Sequence, residues 1–324
     1  MIKNSYIHLK AYLLLIRFFN QTGTVLLFIP CLFGMIYIKS LTIAGFTLFL
    51  LSAFFARSCG CILNDIADKK IDAHTPSTQE RVIAQGKVSI KKAIVFFASL
   101  VVISLPLLIF YSKHIFLPLF TTGLVVALYP YTKRFFAIPQ VFLGIAYASG
   151  FLISIVHIVD MPIYSLQQNV FIFYFALVLW VIFYDTNYAK RDLLHDKQNK
   201  VNSSAIFFAK YFWYILTALL LCAALVYTYF YSKLLLLFIP CVIFGMCLNA
   251  YFIKDLEISK INVTLIIIAL ISNIMISHTL QTTNSYIFLS ANLLLQAVSV
   301  LLKPMHGFKL NMLCVVPISL ALWF

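Results

Sequence analysis

Nine stretches of the chain, around residues 22–38, 41–63, 91–111, 115–130, 139–159, 168–188, 208–231, 234–253 and 261–281, are apolar almost without interruption. Each is long enough to cross, or nearly cross, a hydrocarbon core about 30 Å thick. No water meets an exposed N–H or C=O in that solvent, so a spanning segment has to satisfy its own backbone, which a helix does and a lone strand does not. The expected fold is therefore all-α, a polytopic membrane protein of about nine transmembrane helices. Composition agrees: 63% of the residues are apolar, 10% are charged and the mean hydropathy is +0.98, which leaves no sequence for a sizeable soluble domain.

Basic residues orient the helices. The connections after the second, fourth, sixth and eighth runs carry Lys69, Lys70, Arg81 and Lys87, then Lys133 and Arg134, then Lys190, Arg191, Lys197 and Lys200, then Lys254 and Lys260. Those on the other side hold only Lys39, Lys113 and Lys233. By the positive-inside rule the first set faces the cytoplasm. The formal charge of +14 thus reports topology, and no nucleic-acid partner is expected. Residues 1–21, with Lys3, Lys10 and Arg17, read as a cytosolic lead-in containing an interfacial helix, without a cleavable signal. At the other end, 286–302 and 310–324 are apolar again, which divides the chain into a transmembrane domain over 1–281 and an extension over 282–324 to which no role is assigned.

Two short windows break the apolar pattern. Seven of the ten acidic residues lie in them, each window closing an apolar run. In the first, Asn64, Asp68 and Asp72 stand at i, i+4 and i+8, so on a helix they share one face. In the second, Asp192 and Asp196 repeat the four-residue step, with Asp185 earlier, and Asp196 follows Asp68 by 128 residues. Like charges at i, i+4 repel, so two such columns on the same side of a membrane make sense around a cation. Carboxylates and an asparagine without Cys or His spacing suit a hard ion, and Mg2+ completes its shell with water and phosphate oxygens.

The other metal-capable residues are weaker candidates. The seven cysteines are scattered, mostly within apolar runs, and make no disulfide framework; Cys59 and Cys61 lack partners. His74 and His195 lie beside the acids as surface or supporting groups. The neighbouring cations Arg57, Lys69, Arg81, Lys133 and Arg134 are suited to phosphate oxygens, which two acidic columns would hold only through bridging metal ions.

These windows resemble a known family. R-x-x-G-C-x-x-N-D-x-x-D-x-x-x-D over Arg57 to Asp72, Y-P-x-x-K-R over Tyr129 to Arg134 followed by Pro139-Gln140, and Y-D-T-x-Y-A-x-x-D-x-x-x-D over Tyr184 to Asp196 are similar to the UbiA superfamily of intramembrane aromatic prenyltransferases. Arg17, Gly23-Thr24 and Pro30 match its opening helix, and the likeness covers roughly residues 10–280. The resemblance implies helices around a central cavity in a bacterial inner membrane, with both motifs on the cytoplasmic side. It also implies a Mg2+-dependent reaction in which a polyprenyl diphosphate alkylates the ring of a small aromatic acid, 4-hydroxybenzoate, for ubiquinone biosynthesis. Asn64, Asp68 and Asp72 would hold one metal ion, and Asp192 and Asp196 another. Arg57, Lys69, Arg81, Lys133 and Arg134 would bind substrate, Arg57 and Arg134 taking either the acceptor carboxylate or the diphosphate. Asp185 is a candidate to orient the site or assist the acceptor hydroxyl, and the rings of Phe183, Tyr184 and Tyr188 are candidates to shield an allylic cation.

Three departures from the family pattern stand out. Phe19-Asn20-Gln21 replaces Asp-Lys-Pro before Gly-Thr, Arg81-Val82 replaces Arg-Pro after the first motif, and Leu193, Leu194 and His195 stand where further acids are common. None removes a proposed metal ligand. Two rivals remain at this stage: a family member with another acceptor, and a transporter for an anionic solute. The acids at helix ends favour an enzyme over a transporter, whose sites lie nearer the bilayer midplane on broken helices.

Overall fold

The computed structural model describes residues 2–189 and 192–208, which places the last three expected spans, but for Phe208, and the 282–324 extension outside the described residues. All regular structure among the described residues is helical. The chain divides into two compact units, Met1–Leu166 with Tyr188–Ala209, and Gln167–Asn187 with Lys210–Phe324.

The first unit begins with α1 (Ile2–Leu15), the expected lead-in helix, followed by α2 (Thr22–Tyr37), α3 (Ile43–Ala67) and the one-turn α4 (Lys69–Asp72). After an irregular connection come α5 (Ile90–Ser104), extended to Phe110 by a 3-10 turn, then α6 (Phe116–Thr132) and α7 (Gln140–Val159). The unit is completed by α9 (Leu193–Gln198) and α10 (Ser204–Phe208). Nearly all of α8 (Gln168–Ala189), the sixth expected run, belongs to the second unit.

Ile43–Ala67, Ile90–Phe110, Lys113–Thr132 and Gln140–Val159 are long and apolar enough to cross a membrane, and Thr22–Tyr37 and Gln168–Ile182 are shorter apolar helices. The first six expected runs therefore coincide with helices. Their outward surfaces carry large apolar side chains such as Val95, Val102 and Phe120, as suits helices in hydrocarbon rather than water. One boundary differs from the sequence reading. The fourth apolar run stops at residue 130, yet the helix runs on to Thr132. Proline fixes a φ that a helix accepts but has no N–H for the ladder, and the helix ends two residues beyond it.

The helices start and stop by local chemistry. The hydroxyls of Thr42 and Ser89 accept from the backbone N–H of Gly45 (3.1 Å) and Lys92 (3.3 Å) at the N-termini of α3 and α5. At the C-termini of α1, α2 and α9, the left-handed position that usually takes glycine holds Arg17 (φ 58°), Lys39 (φ 55°) and Lys200 (φ 53°). In each case the two backbone bonds of a Schellman cap form, for example Phe18 N–H to the Leu13 carbonyl at 2.9 Å and Arg17 N–H to that of Leu14 at 3.1 Å. A cation there also faces the negative end of the helix dipole.

α3 packs against α1, α2, α5 and α6, and α7 packs against α2 and α6. Where α1 meets α3 and α5, Ala11, Leu15, Ile62, Ala93 and Leu100 form a buried cluster. The connection between α4 and α5 dips into it through Val82, Ile83 and Val88. Ile83 is completely buried, worth about 1.5–3 kcal/mol for a side chain taken from water. A charged connection is thereby anchored over the end of α3.

Candidate active site

The first motif sits on the seam between α3 and α4. Asp68 interrupts the helix for a single residue, but the ladder continues through it: its N–H donates to the Asn64 carbonyl at 2.8 Å, and the Asp72 N–H donates to the Asp68 carbonyl at 2.8 Å. Asn64, Asp68 and Asp72 therefore stay one turn apart, as their spacing implies. Asp65, Asp68 and Asp72 are only 1%, 2% and 4% exposed. Three buried carboxylates within two turns require compensation.

Each is compensated differently. Asp65 accepts from Arg17 Nη2 through both oxygens, at 2.7 and 3.0 Å, and its Oδ1 lies 3.3 Å from Arg81 Nη1. The same Arg81 nitrogen donates to Asp72 Oδ2 at 2.8 Å. Lys133 Nζ, from the end of α6, donates to Asp68 Oδ2 at 2.8 Å. Asp68 Oδ1 is buried and has no hydrogen-bond partner among the described residues. Burial raises the Asp72 carboxyl above the usual range, with Arg81 pulling the other way and Asp68 adding to the rise. Burial likewise opposes the charge on Lys133, but Tyr129 and Asp68 more than reverse it, so its ammonium is held above the ordinary lysine value.

Asp192 and Asp196, the aspartates of the second motif that belong to the first unit, come to the same place. Asp192 is the N-cap residue of α9, and Asp196 lies in that helix's first turn. Burial pushes the Asp196 carboxyl up to about 6; Lys133 opposes this, while Asp192 and Asp68 reinforce it. An acid from one motif thus feels both an acid of the other and the lysine between them. Hydrogen bonds hold this meeting: Asn202 N–H donates to the Lys133 carbonyl at 2.8 Å, Ser204 N–H to Gln140 Oε1 at 3.0 Å, and Asn199 Nδ2 to Thr75 Oγ1 at 3.4 Å.

The other candidates are placed as follows. Arg57 lies against α2 where Gly23 leaves room, since a Cβ on Gly23 would come within 2.3 Å of Arg57 Nε; its Nη1 meets Cys61 Sγ at 2.7 Å. Arg134 donates to the Ala67 carbonyl at 2.7 Å and lies over the Tyr131 ring. Asn64 and Lys69 are half-buried beside the carboxylates. Asp185 is half-buried in α8, and its register to Asp192 passes through residues 190 and 191, outside the described residues. The side chains of Phe183, Tyr184 and Tyr188 also lie outside them. His74 is exposed and bonds the Lys70 carbonyl, and Cys31, Cys59 and Cys61 are free thiols.

Sequence reasoning missed the Arg17–Asp65 pair and the connectors Gln140, Asn199 and Asn202. Asp65 offered a signal, an acid three residues before Asp68, but its partner is 48 residues away. The connectors are ordinary polar residues whose bonds follow from tertiary placement.

The donors fit a hard divalent ion: carboxylate and amide oxygens without sulfur or imidazole, one buried carboxylate oxygen with no partner among the described residues, and an acid lifted by burial and, further, by its acidic neighbours. Among the described residues no three Asp, Glu, His or Cys side chains converge closely enough to hold an ion by themselves. An ion here would draw further ligands from water and a bound phosphate, the habit of Mg2+.

Comparison with known proteins shows the family. The model of the UbiA prenyltransferase family matches residues 27–274. The 4-hydroxybenzoate octaprenyltransferase of Francisella tularensis subsp. novicida is 35% identical over 211 residues, covering 64% of this chain and 73% of the relative. That of Psychrobacter arcticus is 33% identical over 219 residues, covering 63% and 69%. Among solved structures, a UbiA homologue from Archaeoglobus fulgidus bound to GPP and Mg2+ superposes with a TM-score of 0.59 at 17% identity, over 82% of this chain and 96% of that one.

Proposed function

The chain is an integral membrane protein that belongs to the UbiA prenyltransferase family, and from that premise we propose that it transfers a polyprenyl group from a polyprenyl diphosphate to the ring of 4-hydroxybenzoate, a step of ubiquinone biosynthesis. The observation that carries the proposal is the meeting of Asp68 and Asp196 about Lys133, which brings an aspartate of each motif to one end of one unit. The acceptor follows the name of the bacterial relatives, and Mg2+ follows the donor set together with the ion in the A. fulgidus homologue. The motif end faces the cytoplasm of a bacterial inner membrane. Residues 1–281 form the catalytic domain, with 282–324 an extension of no assigned role.

In the reaction the allylic C–O bond breaks and its electron pair leaves with the diphosphate. A ring carbon of the acceptor forms the new C–C bond and then gives up its proton. Asn64, Asp68 and Asp72 would hold one ion and Asp192 and Asp196 the other; bound there, Mg2+ would supply charge to neutralise the leaving group. Lys133, its ammonium kept charged, and half-buried Lys69 meet phosphate oxygens. Arg134, fixed to the carbonyl of the residue before Asp68, points to the same task. Arg57 lies deeper in α3 and meets only a thiol among the described residues, so its guanidinium suits the acceptor carboxylate. Arg81 acts on substrate indirectly, being engaged by Asp65 and Asp72. Asp185 orients the acceptor hydroxyl or takes up its proton.

The test is an assay of membranes containing the protein with Mg2+, a radiolabelled polyprenyl diphosphate and a panel of acceptors. Prenylated 4-hydroxybenzoate is expected, and it should disappear on Asp68→Ala and on Asp192→Ala. Product with a different acceptor alone would reassign the substrate. Absence of product with every acceptor, with solute uptake by sealed vesicles in its place, would overturn the proposal.

A further inference from the structure

Resting on the prenyl-transfer reading above, we infer that Asp65 is not a ligand of the first metal site but the hub of an ion-pair clasp, Arg17–Asp65–Arg81–Asp72, that sets where the Asp72 carboxylate points. Arg17 and Asp65 are thereby positioning residues for the reaction.

The clasp joins three pieces of chain. Arg17 comes from the corner after α1, Asp65 from the last turn of α3, and Arg81 from the connection that Val82 and Ile83 bury. Asp65 has both oxygens occupied by Arg17, at 2.7 and 3.0 Å, and one of them also within 3.3 Å of Arg81. To bind an ion it would have to release the Arg17 guanidinium. Asp68, three residues on, has one oxygen on Lys133 and the other on no group described. Neighbouring acids of one motif are thus sorted by their partners, one closed to a ligand and one open.

Asp72 depends on the clasp because it is the last helical residue of the ladder that continues from α3. α4 spans Lys69–Asp72, and no further helical turn follows to fix the end that carries this carboxylate. What holds its carboxylate is Arg81 at 2.8 Å, and what holds Arg81 in turn is Asp65. Arg17 completes the chain of contacts from an unusual backbone. Its φ of 58° is one that glycine adopts at less cost, so the reason for arginine there lies in its side chain. That side chain also donates to the carbonyls of Leu14 (3.1 Å) and Leu15 (3.3 Å), so a single guanidinium ties the end of α1 to the acid of α3. The balance of charge is even, two arginines against two carboxylates. This matters for a buried network, where unequal numbers would be costly.

The experiment uses the full chain in nanodiscs with geranyl diphosphate, 4-hydroxybenzoate and varied Mg2+. Arg17→Ala and Asp65→Asn should each raise the Mg2+ concentration for half-maximal rate about tenfold or more, the usual effect of losing a group that orients a metal ligand. The rate at saturating Mg2+ should fall much less. Arg17→Lys should recover part of the shift, and the double variant should be no worse than Asp65→Asn alone, because both changes cut one contact. Loss of turnover at every Mg2+ concentration in Asp65→Asn, with Arg17→Ala silent, would make Asp65 a ligand and overturn the clasp; so would effects that multiply. A wild-type protein inactive on every acceptor counts against the prenyl-transfer reading instead. The clasp is then read from the melting of the same proteins in detergent: a double variant no less stable than the weaker single supports it, and additive losses overturn it.

Discussion

Residues 65, 68 and 72 carry the same functional group within two helical turns, and what distinguishes them is the cation each one meets. Asp68, with one buried oxygen unpartnered among the described residues, is the most open of the three. Its removal to alanine should lower the rate about 10²–10³-fold, the range seen when a group that stabilises developing charge is lost. Its partner makes a different prediction. Lys133→Ala leaves Asp68 buried without a counter-charge, a loss of about 3–5 kcal/mol for a fully buried pair and less here, where the lysine side chain is 26% exposed. Added Mg2+ should raise the melting temperature more in this variant than in wild type, since an ion takes the vacated place; an equal rise would contradict the assignment. At Gly23 two effects compete. Alanine favours a helix by about 1 kcal/mol over glycine, but its Cβ would fall 2.3 Å from Arg57 Nε. Because the obstacle is a movable side chain, Gly23→Ala should keep its fold and raise the KM for the acceptor about tenfold, the cost of roughly one charge-assisted hydrogen bond. The i, i+4 spacing of Asn64, Asp68 and Asp72 was readable because it is local. Nothing in the spelling of the chain pairs Asp65 with Arg17, because that pair depends on how α1 packs.

Helices were the most legible level, since a membrane span needs a long apolar run and such a run has few other uses. Their ends were less so. Pro130 signals a stop that α6 passes by two residues, and three helices close on a basic residue in a conformation glycine usually takes. Least legible was the connection between α4 and α5, whose buried Val82 and Ile83 follow no helical period. Packing between elements gives a separate prediction. Along α2 and α7, a Cβ on Gly34 would meet Ser154 Oγ at 1.9 Å and the Phe151 carbonyl at 2.8 Å, while one on Gly150 would meet Cys31 Sγ at 2.9 Å. Small residues allow such close approach in lipid, where no hydrophobic force draws helices together. Gly34→Ala, unlike Gly23→Ala, strikes backbone. It should lower stability by about 1–3 kcal/mol, read as a lower melting temperature in detergent, with the Mg2+ dependence unchanged.

At the level of the molecule, two sequence windows 128 residues apart converge, as the doubling of the motif implied and as composition alone would not. The proposed cytoplasmic orientation rests on loop charge and has its own check. In sealed vesicles with the periplasmic face outward, Glu80→Cys, exposed next to the clasp, should react with an impermeant maleimide only after permeabilisation. Labelling of intact vesicles would reverse the topology. The convergence also has an unusual kind of fastening. The bond from Asn202 to Lys133 joins amide to carbonyl, and neither side chain takes part in it. A survey that replaces residue 202 with each amino acid in turn would therefore pass over the joint almost everywhere and register it at proline, the one substitution that deletes the N–H. Evolution is subject to the same blindness: position 202 is free to drift in identity, short of proline, while its amide goes on stitching the two halves of the motif-bearing end together.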